Sequence, residues 1–332
     1  SEYRTMFLAI REITTARGRF ALIGGTVALI TLLLVMLSGL TEGLSKQNTS
    51  ALESLEEEYP YISFSTEDPS FSESEMHAGD IASDGIPLGA AQTKLEGHGG
   101  VAVLSLPAGT QVPGSDKTIP EQGVLLSDSI DEADSVTLGG TDFSVEGTVP
   151  ETMYAHSEVV WASTETWQRI SHAPQGVIGT AALYKQEVPG SVKMSKSFSG
   201  LAAYQSERGS LLTMQGFLYG ISALVTVAFL TVWTIQRTRD LSILRALGAT
   251  VRYLLRDALA QAAIILAAGT IAGAVIGWAL GALASGTVPF DVSLRTIAVP
   301  AVGIWVLGMA GALVATRRVA KANPLDALGG NA

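Results

Sequence analysis

The sequence predicts a membrane protein of four transmembrane α-helices, with a mixed α/β extracellular domain inserted between the first and second spans. Three observations predict it. Charged residues vanish from four stretches, 20–41, 211–236, 258–290 and 296–316. Basic residues gather beside one end of each stretch. Between the first two stretches the pattern changes to short alternating runs bounded by glycine and proline. A chain of 332 residues that is 47% hydrophobic and 16% charged could also be one apolar globular fold, so the distribution decides. Each run approaches or exceeds the ~20 residues that about 30 Å of hydrocarbon requires of a helix. Inside lipid every backbone group must be bonded within its own segment, which selects helices over strands.

Taken in order, residues 1–19 place Tyr3, Met6, Phe7 and Ile10 at helical spacing among arginines, the pattern of an amphipathic helix on the cytosolic membrane surface. The alternative is a plain cytosolic flank. Residues 20–41 form the first span; its apolar core is longer than a signal peptide's and follows a basic lead, so it is expected to be retained. The extracellular domain occupies 42–210. It opens with a helical stalk over 43–59, carrying Leu44, Ala51, Leu52 and Leu55 and ending near Pro60, with Glu56, Glu57 and Glu58 as a solvated run.

Strands are predicted over 123–126, 134–138, 142–149, 158–162 and 176–184. Gly139 and Gly140 between two of them predict a hairpin over 135–149. Residues 65–91, rich in serine, glycine and acid, read as a mobile loop. Asn48-Thr49-Ser50 fits the glycosylation acceptor pattern, which is common by chance. The second span covers 211–236, a cytosolic segment 237–257, the third span 258–285, an outer loop 286–295, the fourth span 296–316 and a cytosolic tail 317–332. Gly269, Gly273, Gly277 and Gly281 recur every fourth residue of the third span, a smooth ridge that another helix can approach closely; Gly216 and Gly220 repeat the spacing in the second. Such a ridge serves either as a sliding surface between moving helices or as ordinary close packing.

Charge sets the orientation. The segments 1–19, 237–257 and 317–332 hold 12 of the 21 basic residues and 5 acids, a net of +7, while the other 9 basic and 26 acidic residues sum to −17. Positive residues stay cytosolic, so both termini are expected inside and the acidic domain outside. That acidity argues against nucleic acid as a partner. The chain has no cysteine, hence no disulfide, thiolate metal site or cysteine nucleophile. No glycine-rich phosphate loop is present, so nucleotide hydrolysis falls to another chain. His77, His98, His156 and His172 are scattered without ligand spacing and read as surface histidines. No catalytic constellation is visible, and the chain is read as a non-enzyme.

Residues 237–250, RTRDLSILRALGAT, resemble the coupling segment of the MacB/FtsX-type ABC transporter permeases. The basic N-terminal helix, the glycine hairpin at 136–147 and the C-terminal stretch 317–328 agree with that family in order and layout. Leu241, Leu244 and Leu247, flanked by Arg239 and Arg245, form an apolar stripe suited to a groove on an ATPase subunit. The same stripe could pack on the membrane ends of its own helices. Within the superfamily, the compact outer domain and short length most resemble the heme-exporter permeases of Gram-positive bacteria, HrtB. The resemblance implies a homodimer in the bacterial cell membrane, working with two copies of an ABC ATPase that holds ATP and Mg. It implies no intrinsic cofactor, and heme taken from membrane lipid, bound between the two permeases near the outer leaflet and released outward.

Glu42 is the first charge after the first span, a depth at which ionisable groups are costly unless used. At about 1.5 Å per residue, Met36 lies roughly 9 Å further in; on the second span Met214 is near the surface and Tyr219 deeper. Carboxylate, thioether and phenol are all chemically possible ligands or neighbours of heme iron. Two copies of Glu42 in a two-fold dimer could face one porphyrin from both sides, with Glu42 on the iron. Alternatively Glu42 marks the membrane boundary, and Met36, Met214 and Tyr219 pack or anchor. Export of another amphiphile (an antibiotic, peptide or lipid), or mechanical signalling to a cell-wall hydrolase or sensor kinase as in FtsX-like proteins, are the competing functions.

Overall fold

A computed structural model describes Met6 and residues 9–11, 17–82, 84–236, 238–248 and 250–320, with backbone alone at 238–241 and 318–320. The chain divides into two compact units, Leu44–Gly209 and the remainder on either side of it.

The flanking unit is built on α1 (Arg17–Glu56), α4 (Ala202–Gln236), α6 (Val251–Ala284) and α7 (Leu294–Ala320). All four are long and apolar enough to cross a membrane. They extend past the charge-free stretches: α1 and α4 continue as the stalks, and α6 begins seven residues before the predicted third span because Thr250 caps it, accepting from the Tyr253 amide at 3.2 Å. The expected 237–257 segment is therefore a short helix, α5 (Thr238–Ala246), a turn, and the opening of α6. Of the expected N-terminal surface helix, Met6, Ala9, Ile10 and Arg11 are helical; Tyr3 and Phe7 lie outside the described residues, as does 321–332.

Outward faces carry large apolar groups, Leu224 71% and Phe217 68% exposed, the surface that lipid rather than water would cover. Inward, Leu34, Leu230, Trp233, Leu266, Ile304 and Ala312 form one cluster, and Phe20 meets Trp233 edge to face at 6.0 Å. The α6 glycine ridge is filled by α1 at Gly269, Gly273 and Gly277 and by Phe290 at Gly281. A Cβ at Gly269 or Gly277 would stand 2.9 Å from Val27 or Val35, and one at Gly273 would collide with the Ala28 carbonyl. The ridge is closely packed in this structure. Gly216 and Gly220 do not repeat it: nothing lies within 4 Å of their missing side chains, because α4 turns Tyr219, Ser222 and Thr226 to the bundle instead.

The inserted unit holds β1 (Tyr61–Ser63), β2 (Ile86–Leu95), β3 (Gly99–Leu106), β4 (Val124–Ser127), β5 (Ser135–Leu138), β6 (Thr141–Val149), β7 (Met153–Tyr154), β8 (Ser157–Ser163), α2 (Thr164–Ser171), β9 (Ala181–Tyr184), β10 (Val192–Lys193) and the single turn α3 (Met194–Ser197). The strand order is β10-β1-β9-β2-β3-β8-β4-β6-β5, with β7 beside β8. β3 runs parallel to β8 and β4 to β6; the remaining pairs are antiparallel. Gly139 and Gly140, at φ 57° and 86°, make the left-handed turn that joins β5 to β6. From the stalk, Ala51, Leu52 and Leu55 are fully buried in the core with Leu104 and Trp161.

Two expectations fail. Residues 65–91 are not a loose loop: Phe71, Met76 and Leu88 are 4%, 1% and 0% exposed, and 86–91 belong to β2. Few apolar side chains, each used fully, hid that core contribution. Residues 176–180 are not strand either; only Ala181–Tyr184 pairs in β9, while Ile178 and Thr180 donate singly to Met76 and Leu88 carbonyls. The Asn48 acceptor pattern is closed off, since Asn48 and Thr49 are each 1% exposed.

Candidate functional site

At the Glu42 end of α1, two glycines let the α6–α7 loop lie against the helix. Phe290 presses its ring where Gly39 and Gly281 lack side chains, the Pro289 carbonyl occupies the space at Gly43, and the Asp291 amide donates to the Gly39 carbonyl at 3.0 Å. Glu42, half-buried, stands between these two glycines in sequence. On another face of α1, Thr41 is 2% exposed and accepts from Gln215 Nε2 of α4 at 2.9 Å. In an apolar bundle such a pair fixes register between helices. The Glu42 end is thus held by a loop clamp and an amide–hydroxyl bond.

The four sequence-predicted residues are spread around this end. Met36 is half-buried; six residues from Glu42 at 3.6 per turn, it lies about a third of a turn around α1. Met214 is 53% exposed on the outward face of α4. Tyr219 is half-buried against α7, where a Cβ on Gly303 would stand 3.0 Å from its ring. Gln215, Thr41 and Phe290 went unread in the sequence. Gln215 carried a signal, being the sole amide inside the apolar part of the second span.

At the other end of the bundle, Ile243 of α5 and Leu247 in the turn that follows it are 52% and 80% exposed, with Leu244 and Arg245 half-buried. The side chains of Arg239 and Leu241 lie outside the described residues. Gly248, at φ 94°, ends this element with its amide donating to the Arg245 carbonyl at 3.2 Å. Close by in sequence, Asp257 and Gln261 of α6 are 6% and 1% exposed and bonded to each other at 3.1 Å. A buried carboxylate at this position is a polar anchor that counting charges could not separate from solvated acids.

Within the inserted unit His156 is no plain surface histidine. Its Nε2 faces Glu207 at 2.8 Å and its Nδ1 faces Gln47 at 3.1 Å, so one imidazole joins the stalk parts of α1 and α4. Ala155 and His156 hold left-handed φ of 47° and 63° and donate their amides to the Asn48 and Gln47 carbonyls, each at 3.0 Å. That contact offsets the turn strain. His98 pairs with Glu158 at 2.9 Å. Among the described residues, no group of three or more His, Asp or Glu could hold a metal ion.

Comparison with known proteins says what the chain is similar to. Residues 213–324, from α4 through α7, match the FtsX-like permease C-terminal family. Over its length the chain is similar to hemin transport system permease proteins named HrtB: 26% identical to that of Staphylococcus haemolyticus across 98% of this chain and 99% of the relative. The identity to that of Staphylococcus epidermidis is 24%, with the same coverage. An uncharacterized ABC transporter permease of Mycobacterium tuberculosis is 24% identical across 59% of this chain and 58% of its own.

Proposed function

We propose that this chain, similar over residues 213–324 to the FtsX-like permease C-terminal family and along its length to hemin transport permeases, is the ABC transporter permease subunit of a pump that exports heme from the bilayer to the outside. The carrying observation is its end-to-end similarity to the hemin transport permeases, which spans the inserted unit as well as the FtsX-like segment. ATP hydrolysis belongs to a partner: two copies of an ABC ATPase, with their ATP and Mg, docking on α5 and the turn after it through Leu244, Leu247 and Ile243, with Arg239, Leu241 and Arg245 around them. The exposure of Leu247 and Ile243 supports that docking. The 12 basic residues of the terminal and 237–257 segments support cytosolic termini and an extracellular inserted unit.

The permease acts as a homodimer. Glu42 from each copy faces the porphyrin near the outer leaflet and serves as the iron-binding carboxylate, with Met36 and Met214 as further contacts available to a second chain. Tyr219, packed on Gly303, is a neighbour that shapes the bundle beneath. Two anchors on α1, Gln215 at Thr41 and Phe290 at Gly39, support a fixed position for the intervening carboxylate. The test is a Glu42→Ala permease co-expressed with its ATPase: heme absorption of the purified complex should weaken and cells should lose protection against hemin. A wild-type spectrum with full protection would remove Glu42 from the mechanism.

A second reading keeps the same chain as a mechanical transmitter whose outer domain acts on a cell-wall hydrolase or sensor kinase. The FtsX-like match favours it, because that match spans the spans and α5 without naming a cargo. A third, export of another amphiphile, shares the pump and differs in cargo alone. A stable outer-domain protein partner with no heme spectrum would select the transmitter.

A further inference from the structure

Between α1 and α6, at the Arg17 end of the bundle, runs a groove of about 310 Å³ that the export reading does not use. The two helices lie side by side and run the same way, since Val27 meets Gly269 and, eight residues further along both, Val35 meets Gly277. Arg17, Phe20, Ala21 and Gly24 form the α1 wall. That spacing of three, four and seven follows one face of the helix for about 10 Å. Ile264 and Ala268 belong to the α6 wall. Ala21 and Ala268 are exposed and Gly24 and Ile264 half-buried, so the floor is open to whatever surrounds the bundle. A side chain at Gly24 would meet nothing within 4 Å. The groove exists because the residues along it are small.

Medium, direction and polarity together specify the occupant. Both helices are long and apolar enough to cross a membrane, so lipid tails rather than water bathe the groove. It runs along the helix axes, the direction in which a tail lies. One end is cationic and the rest apolar: Arg17 stands at the mouth, and every lining residue beyond it is uncharged. At the same end Arg19 of α1 and Arg252 and Arg256 of α6 are exposed. Asp257, an acid near these arginines, is 6% exposed and bonded to Gln261. A guanidinium matches phosphate oxygens with paired N–H donors, and basic pockets between membrane helices suit acidic head groups. A linear apolar chain with a phosphate at one end fits all three conditions.

We infer that this groove holds one acyl chain of an anionic phospholipid, with Arg17 on the phosphate and the chain lying along Ala21, Gly24 and Ala268. The site is at the opposite end of the apolar part of α1 from Glu42. It depends on the chain being a membrane protein and is independent of the cargo.

Two probes share their tails and differ in head-group charge: dioleoylphosphatidylglycerol and dioleoylphosphatidylcholine. Mixed with the permease–ATPase complex in mild detergent and read by native mass spectrometry, the anionic lipid should be retained about fivefold better at low salt and less so at high salt. Arg17→Gln should bring the two lipids within about twofold. Gly24→Leu, which has open space for its side chain, should fill the groove and cut retention of both. Ala268→Leu, at an exposed position, fills the same groove from α6 and should do likewise. Copurification of the ATPase and the thermal midpoint should stay near wild type in all three variants. Equal retention of the two lipids by the wild type would overturn the inference, as would wild-type retention of phosphatidylglycerol in Arg17→Gln or in both filled variants. Displacement of phosphatidylglycerol by hemin would also overturn it, by assigning the groove to the cargo. A wild type that keeps phosphatidylglycerol but binds no hemin would instead leave the groove standing and remove the export reading.

Discussion

Phe290 fills the notch that Gly39 leaves open on α1, and its ring edge also occupies the space where Gly281 of α6 would carry a side chain. One aromatic therefore ties the α6–α7 loop to two helices beside Glu42.

Gly39→Ala forces a methyl into that ring, an overpacking that costs about 1–3 kcal/mol. Thermal unfolding in detergent should register the loss, and Phe290→Ala added to Gly39→Ala should restore part of it. Such strong non-additivity marks a direct contact; additive losses would mean that the two residues act separately.

The Thr41–Gln215 bond joins α1 to α4 inside the apolar bundle. Thr41→Val and Gln215→Leu should each lower stability by about 0.6–1.7 kcal/mol, and the double variant should lose little beyond either. A double-mutant cycle in detergent measures the coupling.

The sequence made much of this legible, and the reasons differ by element. Spans show themselves because lipid tolerates no charge over ~20 residues, and the β5–β6 hairpin because Gly139 and Gly140 supply positive φ cheaply. β2 and β3 escaped notice: the former carries small residues, Gly89, Ala90 and Ala91, and the latter is buried without alternation over 101–106. The His156–Glu207 pair spans 51 positions and the Phe290 notch joins residues from two helices and a loop. No local pattern announces a contact of that kind. Glu42, by contrast, stood out as the first charge after an apolar run.

Leu247, in the turn after α5, is 80% exposed, so Leu247→Asp should insert and fold as wild type. Together with Leu244→Asp it should abolish copurification of the ATPase and its stimulation, the effect expected when a desolvated apolar anchor becomes charged. Normal stimulation in both variants would move the docking surface elsewhere.

The inserted unit should respond to pH through Glu151, whose pKa is raised by burial and then by the neighbouring Glu158 and Asp128 carboxylates. A carboxylate raised in the fold favours the folded state only when protonated, so its relative contribution is present at acid pH and lost as pH rises through the folded pKa. Glu151→Gln should therefore raise the thermal midpoint at pH 7, with the gain vanishing below the ordinary carboxylate range.

The most direct measurement is hemin titration of the purified permease–ATPase complex in proteoliposomes, following the Soret band and ATP hydrolysis together. Heme export predicts a saturable Soret shift that Glu42→Ala weakens, with ATP turnover rising over the same hemin range. A flat Soret band and ATP hydrolysis indifferent to hemin would contradict it.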